Sequence, residues 1–411
     1  MMNILYLNPV GKIGGAERVL LHLMSNTRTI FPSAKITLLC LTDGPLLEAT
    51  RQLGIPVVVC SIPAQLSQMG ESQLREKSNF YRSVPKLLKQ GVIASPSAVS
   101  FLRRFRSLCL QLRPDLIHSN GIKTHFLSRW LSPQIEAKQI WHIHDFCSLR
   151  PISKWLLYHH SRRISAFMAI SDAVAKDTIS ICSGKNIYRL YNTTDTKLFS
   201  PGPSPNGLLD SLAGMPHTTE KVVRFGLVAT YARWKGHEIF LRAAQKLCVQ
   251  YPDLSVRFYI IGGPIYDTSA QYSKLELNQL IQKMGLQQKV GLIPFQKDTI
   301  PIYRALDVVV HASTLPEPFG LTITEAMSCG CAVIVSQAGG AAEIFTHELD
   351  ALGYPLGDID TLSHAMYRLA SDPALRNHLG KNARSTVQTK FDTSCIIEPL
   401  SKYYREVLEI C

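Results

Sequence analysis

The chain has 411 residues, more than one ordinary core accommodates, so two or three domains are expected. Hydrophobic residues at 46% and charged residues at 18% exclude a disordered chain. The net charge of +13 is one-sided: residues 1–215 carry 25 Lys and Arg against 12 Asp and Glu, whereas residues 216–411 carry 19 of each. A basic first half points to an acidic partner, such as an anionic lipid surface, a phosphorylated acceptor or a nucleic acid, with simple solubility as the plain alternative.

The opening "MMNILYLNPVGK" lacks a signal-peptide layout and reads as a first buried strand. No apolar stretch reaches the roughly 20 residues that span a bilayer, so a cytoplasmic protein is expected. After it come "GGAERVLLHLMSNT", with helical spacing, and the apolar runs "AKITLLCLT", "IPVVVCSI", "DLIHSN", "QIWHIHDF" and "AFMAIS". Short apolar strands separated by helix-length segments predict a parallel sheet covered by helices. One segment departs from this rhythm. Leu74 to Arg113 interleaves Lys and Arg with Leu, Phe and Val at helical spacing. It reads either as a basic amphipathic stretch for an anionic membrane surface or as two ordinary helices with a solvated face.

The segment from Ser200 to Lys221, rich in Pro, Gly and Ser, reads as a linker. Beyond it the rhythm restarts with "VVRFGLVAT", "SVRFYIIGG", "KVGLIPF", "DVVVHAS", "CAVIVS" and "DALGYPL". Two doubly wound, Rossmann-like α/β domains facing across a cleft are therefore expected, residues 1–200 and 222–390, joined by a 201–221 linker. Ligands of such sheets bind beyond the carboxyl ends of the strands. The ten cysteines are scattered, several inside apolar strands, and read as reduced thiols. Cys329 and Cys331 lack a second ligand pair, so no metal site is expected there.

The run "PEPFGLTITEAMSCG", Pro316 to Gly330, follows the strand "DVVVHAS" and opens a helix near Gly320. Unpaired amides at Gly320 and Leu321 suit a phosphate, and flanking Glu317 and Glu325 suit hydroxyls. A nucleoside diphosphate sugar carries both. This run, extended through "CAVIVSQAGGAAEI", resembles the signature of the two-domain retaining glycosyltransferases of group 1, or family 4, which have the GT-B fold.

The resemblance implies that Glu317 contacts donor-sugar hydroxyls, Glu325 holds the ribose and the Phe319-Gly320-Leu321 backbone holds the diphosphate. "NPVGKIGGAERVLLHL" resembles the family's glycine loop, in which Gly14 and Gly15 let the backbone approach phosphates or acceptor. "QIWHIHDF" resembles the strand that places a histidine over the donor sugar, here His144 with Asp145 beside it. His142 points to the other strand face and reads as structural. His118, ending "DLIHSN", is a further candidate for acceptor contact, as is Asp145. "IIGG" resembles the loop below the nucleoside, which assigns Gly262 to donor binding. "KFDTSCIIEPLSKYYREVL" resembles the closing helix, so residues 391–411 are expected to pack back on the first domain.

"VATYARWKGHE" supplies Lys235-Gly236 in the family's place, but Thr230 stands where an arginine is usual. Arg233 would replace that cation if its side chain reaches the diphosphate; otherwise it is a surface arginine. The resemblance implies retaining transfer to an acceptor hydroxyl in glycan or glycolipid synthesis, with Lys235, His144 and Glu317 as the catalytic set. Neither a metal nor another cofactor is expected: Asp358-Ile359-Asp360 spells a metal motif but reads as a helix cap. The partners expected are the nucleotide-sugar donor and a glycan or lipid-linked acceptor. Peripheral contact with the cytoplasmic face of an anionic membrane, through the basic first domain, is also expected. No nucleic-acid motif is present. The competing reading is a non-catalytic or epimerase-like nucleotide-sugar-binding protein of the same fold.

Overall fold

The computed structural model describes residues 2–67, 96–182, 185–218, 220–264 and 269–410. The described chain forms two units, residues 1–192 with 396–411, and residues 193–395.

The first unit holds β1 (Asn3–Asn8), β2 (Lys35–Cys40), β3 (Val57–Val59), β4 (Leu116–Ser119), β5 (Lys138–Ile143), β6 (Ala166–Ala169) and β7 (Ile187–Arg189). They make one sheet in the order β3-β2-β1-β4-β5-β6-β7, every pair parallel. Because side chains alternate along a strand, β1 serves two cores at once. Ile4 and Tyr6 join one apolar cluster with Leu20 and Leu38, while Leu5 and Leu7 join another with Phe105 and Leu127. Both faces are thus covered, as a parallel sheet requires.

The Ile397–Leu408 helix belongs to this unit and closes one face of its sheet. Its Tyr404 hydroxyl lies 2.8 Å from that of Tyr6 and 2.7 Å from Nδ1 of His118. Thr27 extends the network, 2.6 Å from the Tyr6 hydroxyl.

The second unit holds β8 (Val223–Val228), β9 (Val256–Ile261), β10 (Val290–Ile293), β11 (Val308–His311), β12 (Ala332–Ser336) and β13 (Leu352–Tyr354). Their order is β10-β9-β8-β11-β12-β13, again all parallel. The chain winds outward from β8 in one direction and from β11 in the other. The loops leaving these two neighbours therefore depart to opposite faces and open a crevice at the switch point.

The segment expected as a linker is part of this second unit. Residues 208–213 form a helix whose Asp210 is buried, 2.5 Å from Arg257 and 2.5 Å from the Tyr259 hydroxyl. Its Pro and Gly content marks turns around a docked helix, not a free connector. Asp358 caps the Ile359–Ser371 helix, accepting from the amides of Asp360 and Thr361, as its position in the sequence predicts.

Candidate functional site

In the second unit, the loop after β8 and the loop after β11 meet at the switch point. Lys235 comes from the first and Glu317 from the second. The Lys235 ammonium donates to both carboxylate oxygens of Glu317, at 2.9 and 2.7 Å. Thr314 holds the two loops in register by donating its amide, at 2.7 Å, to the carbonyl of Trp234. The Trp234 ring lies under the ammonium, 4.0 Å from its centroid.

Glu317 is only 8% exposed. Burial would raise its pKa, but the Lys235 charge and the His311 bond outweigh that and hold the carboxyl well below the usual range. Ser313 donates to Oε2 at 2.9 Å, and Nε2 of His311 lies 3.2 Å from the same oxygen. A carboxylate only accepts, so that nitrogen carries the proton, and Nδ1 of His311 accepts from Ser336 at 3.1 Å. The result is a fixed carboxylate with a cation on one side. It can accept bonds from hydroxyls and cannot act as an acid near neutral pH.

The Glu317 backbone is clamped as firmly as its side chain. Its amide donates to Ala338 at 3.3 Å and its carbonyl accepts from Gly340 at 2.7 Å. Between these bonds sits Gly339, at φ +67, where an added Cβ would lie 2.4 Å from the Glu317 carbonyl oxygen. This close approach is what the paired glycines of "SQAGGAAE" provide. Gly339→Ala therefore combines a left-handed backbone, costing about 1–2 kcal/mol, with a clash that displaces the Glu317 loop. A lower Tm together with lost turnover is the expected outcome, and an unchanged Tm would contradict it.

The Leu321–Ser328 helix begins at Gly320, and among the described residues the amides of Gly320 and Leu321 have no acceptor. They are the orphan donors of a helix start, favourable to an anion. Phe319 is buried and anchors this turn, edge-on to Phe391 at 5.7 Å between centroids. Glu325 is buried one turn into the helix, and Tyr303 donates to it at 2.8 Å. Gly262, just past β9, packs its backbone against the carbonyl of Ala229, where a Cβ would stand 1.9 Å from the oxygen.

Arg233 is placed differently. Its guanidinium pairs with Glu276 at 2.5 Å, donates to the Ser269 carbonyl at 2.7 Å and stacks over Tyr272. To serve as the cation missing at Thr230 it would have to leave all three partners, so the structure corrects that expectation.

In the first unit, His144 follows β5 and its Nε2 lies 2.6 Å from Oδ1 of Asn120. Asn120 in turn donates to Oδ1 of Asn8, at 2.8 Å, across the β1/β4 switch point. The amide oxygen accepts, so Nε2 of His144 is the protonated nitrogen and Nδ1 keeps its lone pair. Burial holds this imidazole down to about 4, hence neutral at pH 7.

His118 departs from expectation: it is fully buried and bonded to Tyr404, so it is a core residue and not an acceptor contact. Asp145 forms an ion pair with Arg150 and accepts from the Phe146 amide. The Gly14 amide is taken by Glu17 at 3.0 Å, so an anion at that helix start would have to displace a carboxylate. Gly15 is the first residue of the same Gly15–Ile30 helix.

Four residues that hold the candidate side chains are missing from the sequence-derived set: His311 and Ser313 in the second unit, Asn120 and Asn8 in the first. The first two were visible as a polar pair, two residues apart and so on one face, ending the otherwise apolar "DVVVHAS". Asn120 stands two residues beyond His118, at the strand end and not within the strand.

Comparison with known proteins bears on this arrangement. Residues 217–386 match the family described as "Glycosyl transferases group 1", and residues 14–181 match the "Glycosyl transferase 4-like domain". A D-inositol 3-phosphate glycosyltransferase of Saccharomonospora viridis is 30% identical over 318 residues, 72% of this chain and 70% of that protein. The chain belongs to the group 1 glycosyltransferases.

An uncharacterised glycosyltransferase of Methanocaldococcus jannaschii is also 30% identical, over 46% of this chain and 46% of its own length. The fold of this glycosyltransferase is that of Anabaena Alr3699/HepE, crystallised with UDP-glucose. The TM-score is 0.77 at 24% identity, over 99% of this chain and 100% of that one. Two parallel sheets with flanking helices are thus the GT-B architecture.

Proposed function

We propose that this glycosyltransferase moves a sugar from a nucleoside diphosphate sugar to an acceptor hydroxyl with retention of anomeric configuration and without a metal. The observation that carries the reading is the Lys235–Glu317 pair set at a switch point beside the unpaired amides of Gly320 and Leu321. Cleavage of the sugar–phosphate bond builds negative charge on the leaving diphosphate. The Lys235 ammonium and the two amides would meet that charge with donors already in place. Glu317, ionised and immobile, would accept bonds from sugar hydroxyls. Neutral His144 would offer its Nδ1 lone pair to another hydroxyl.

The acceptor is best read as a phosphate-bearing or glycan hydroxyl. The basic balance of residues 1–215 supports this, as does the inositol phosphate in the name of the Saccharomonospora relative.

The test is a thermal-shift screen of UDP-, GDP- and ADP-sugars with the full chain, repeated with a chelator. One base should raise Tm, since a ligand at a hundred times its Kd adds about 2.7 kcal/mol, and the chelator should not abolish the shift. Silence towards all donors would remove the reading. An inverted product, read by NMR, would remove retention alone.

A further inference from the structure

The basic first half carries a surface that the transfer chemistry does not use. The Pro151–His160 helix turns Leu156 and Leu157 inward, yet its outer face leaves Trp155 51% and Tyr158 67% exposed. Leu149, just before this helix, is 54% exposed, and Phe126, on the Ile122–Leu131 helix packed beside it, is 52% exposed. Large aromatic rings left in water at helical spacing need a partner that is apolar at one depth and wet at the next.

The two helices that carry these rings hold charge of one sign. Residues 116–135 and 146–171, which include both helices, contain no Asp or Glu. Lys154, Arg162 and Arg163 are exposed on the same helix and the turn that ends it. Arg129 and His160 stand close enough to feel Arg163: burial lowers the pKa of both, Arg163 adds to this at Arg129, and at His160 it adds after Arg129 and His159. Two neighbouring acids are already engaged: Asp145 pairs with Arg150, and Asp177 accepts from the amide and the hydroxyl of Ser148.

We propose that this face docks on an anionic phospholipid bilayer, Trp155 and Tyr158 seating at headgroup level and Lys154, Arg162 and Arg163 facing the lipid phosphates. Such a layout, a basic helix face with Trp and Tyr, is that of an interfacial helix. It relocates the membrane contact that the sequence suggests for Leu74–Arg113. Residues 74–95 of that stretch lie outside the described residues. The Pro96–Leu112 helix exposes Arg103, Arg104 and Arg106 but only Leu110 among large apolar side chains. Vesicle binding is read without turnover, so this inference and the transfer reading fail separately.

The experiment is co-sedimentation of the full chain with vesicles of phosphatidylcholine containing phosphatidylglycerol, against phosphatidylcholine alone, at low and high salt. Binding should require the anionic lipid and fall with salt. Lys154→Glu/Arg162→Glu/Arg163→Glu should weaken it about a hundredfold or more, each basic residue contributing roughly fivefold. Trp155→Ala/Tyr158→Ala should weaken it about tenfold at unchanged charge. Arg103→Glu/Arg106→Glu, on the other helix, should bind as the parent does. An unchanged Tm in each variant separates lost docking from lost folding.

Indifference of the parent chain to anionic vesicles overturns the proposal. So does equal loss in the Arg103/Arg106 variant. Binding that follows the three cations but ignores Trp155 and Tyr158 marks a face for an acidic macromolecule and overturns the bilayer assignment.

Discussion

Lys235→Met should lower turnover about 10²–10³-fold and stability by about 3 kcal/mol, although the substitution removes only one amine. Both losses have one origin. Lys235 supplies the charge that keeps Glu317 ionised at 8% exposure, and among the described residues no other Lys or Arg pairs with that carboxylate. Without the ammonium, a desolvated carboxylate remains beside Ser313, and its pKa rises. The stability figure sits at the lower end for buried pairs because the lysine side chain keeps 20% exposure.

The pH dependence follows from the depressed Glu317 carboxyl. Its stabilisation is present above the unfolded value of about 4.3 and disappears as pH falls through the folded one. The Tm gap between parent and variant should therefore be widest at neutral pH and narrow in strong acid. Lys235→Met/Glu317→Gln should recover much of the stability and none of the turnover, because a neutral pair leaves no orphaned charge. Recovery of turnover in that double variant would show that Lys235 serves only to neutralise Glu317.

Mild acid should destabilise both units. His118 in the first and His237 in the second are fully buried, and burial lowers them to about 3 and about 4. Lys235 adds to the effect at His237. Above pH 6.5 both residues are neutral in folded and unfolded chains alike. Below it the unfolded chain takes up protons that the folded chain refuses, so stability falls as pH drops from 6.5 towards 4. At about 1.4 kcal/mol per pH unit for each histidine, the two together remove about 4 kcal/mol at pH 5. Buried His125 and His142, also lowered by burial, add to the loss in the first unit. Urea midpoints at pH 7 and pH 5 measure the slope, and His118→Asn should flatten it in the first unit. A slope unaffected by that change would mean His118 titrates normally.

The second sheet was fully legible: each of its six strands falls in a short apolar run, β-branched in all but "DALGYPL". In the first sheet β7 escaped, because "IYR" is a three-residue edge strand that is partly exposed and has no apolar run. Chain-local reasoning also placed Glu317 correctly in the loop after a strand, since the signature and the strand rhythm agree there. It failed where the deciding partner is remote. His118 looks like a strand-end histidine until Tyr404, 286 residues later, covers it. Arg233 looks available until Glu276 and Tyr272 claim it. The Ser200–Lys221 segment looks like a tether because its composition hides the burial of Asp210.

The docking of Tyr404 against Tyr6 has a consequence for biosynthesis. The amino-terminal sheet is translated early, but one of its faces waits for a helix that emerges only after the whole second unit has been made. During that interval the Tyr6 hydroxyl, the His118 ring and the apolar surface around them are open to solvent or to chaperones. Ribosome-bound chains halted before residue 396 should therefore be more protease-sensitive in their first half than the released protein.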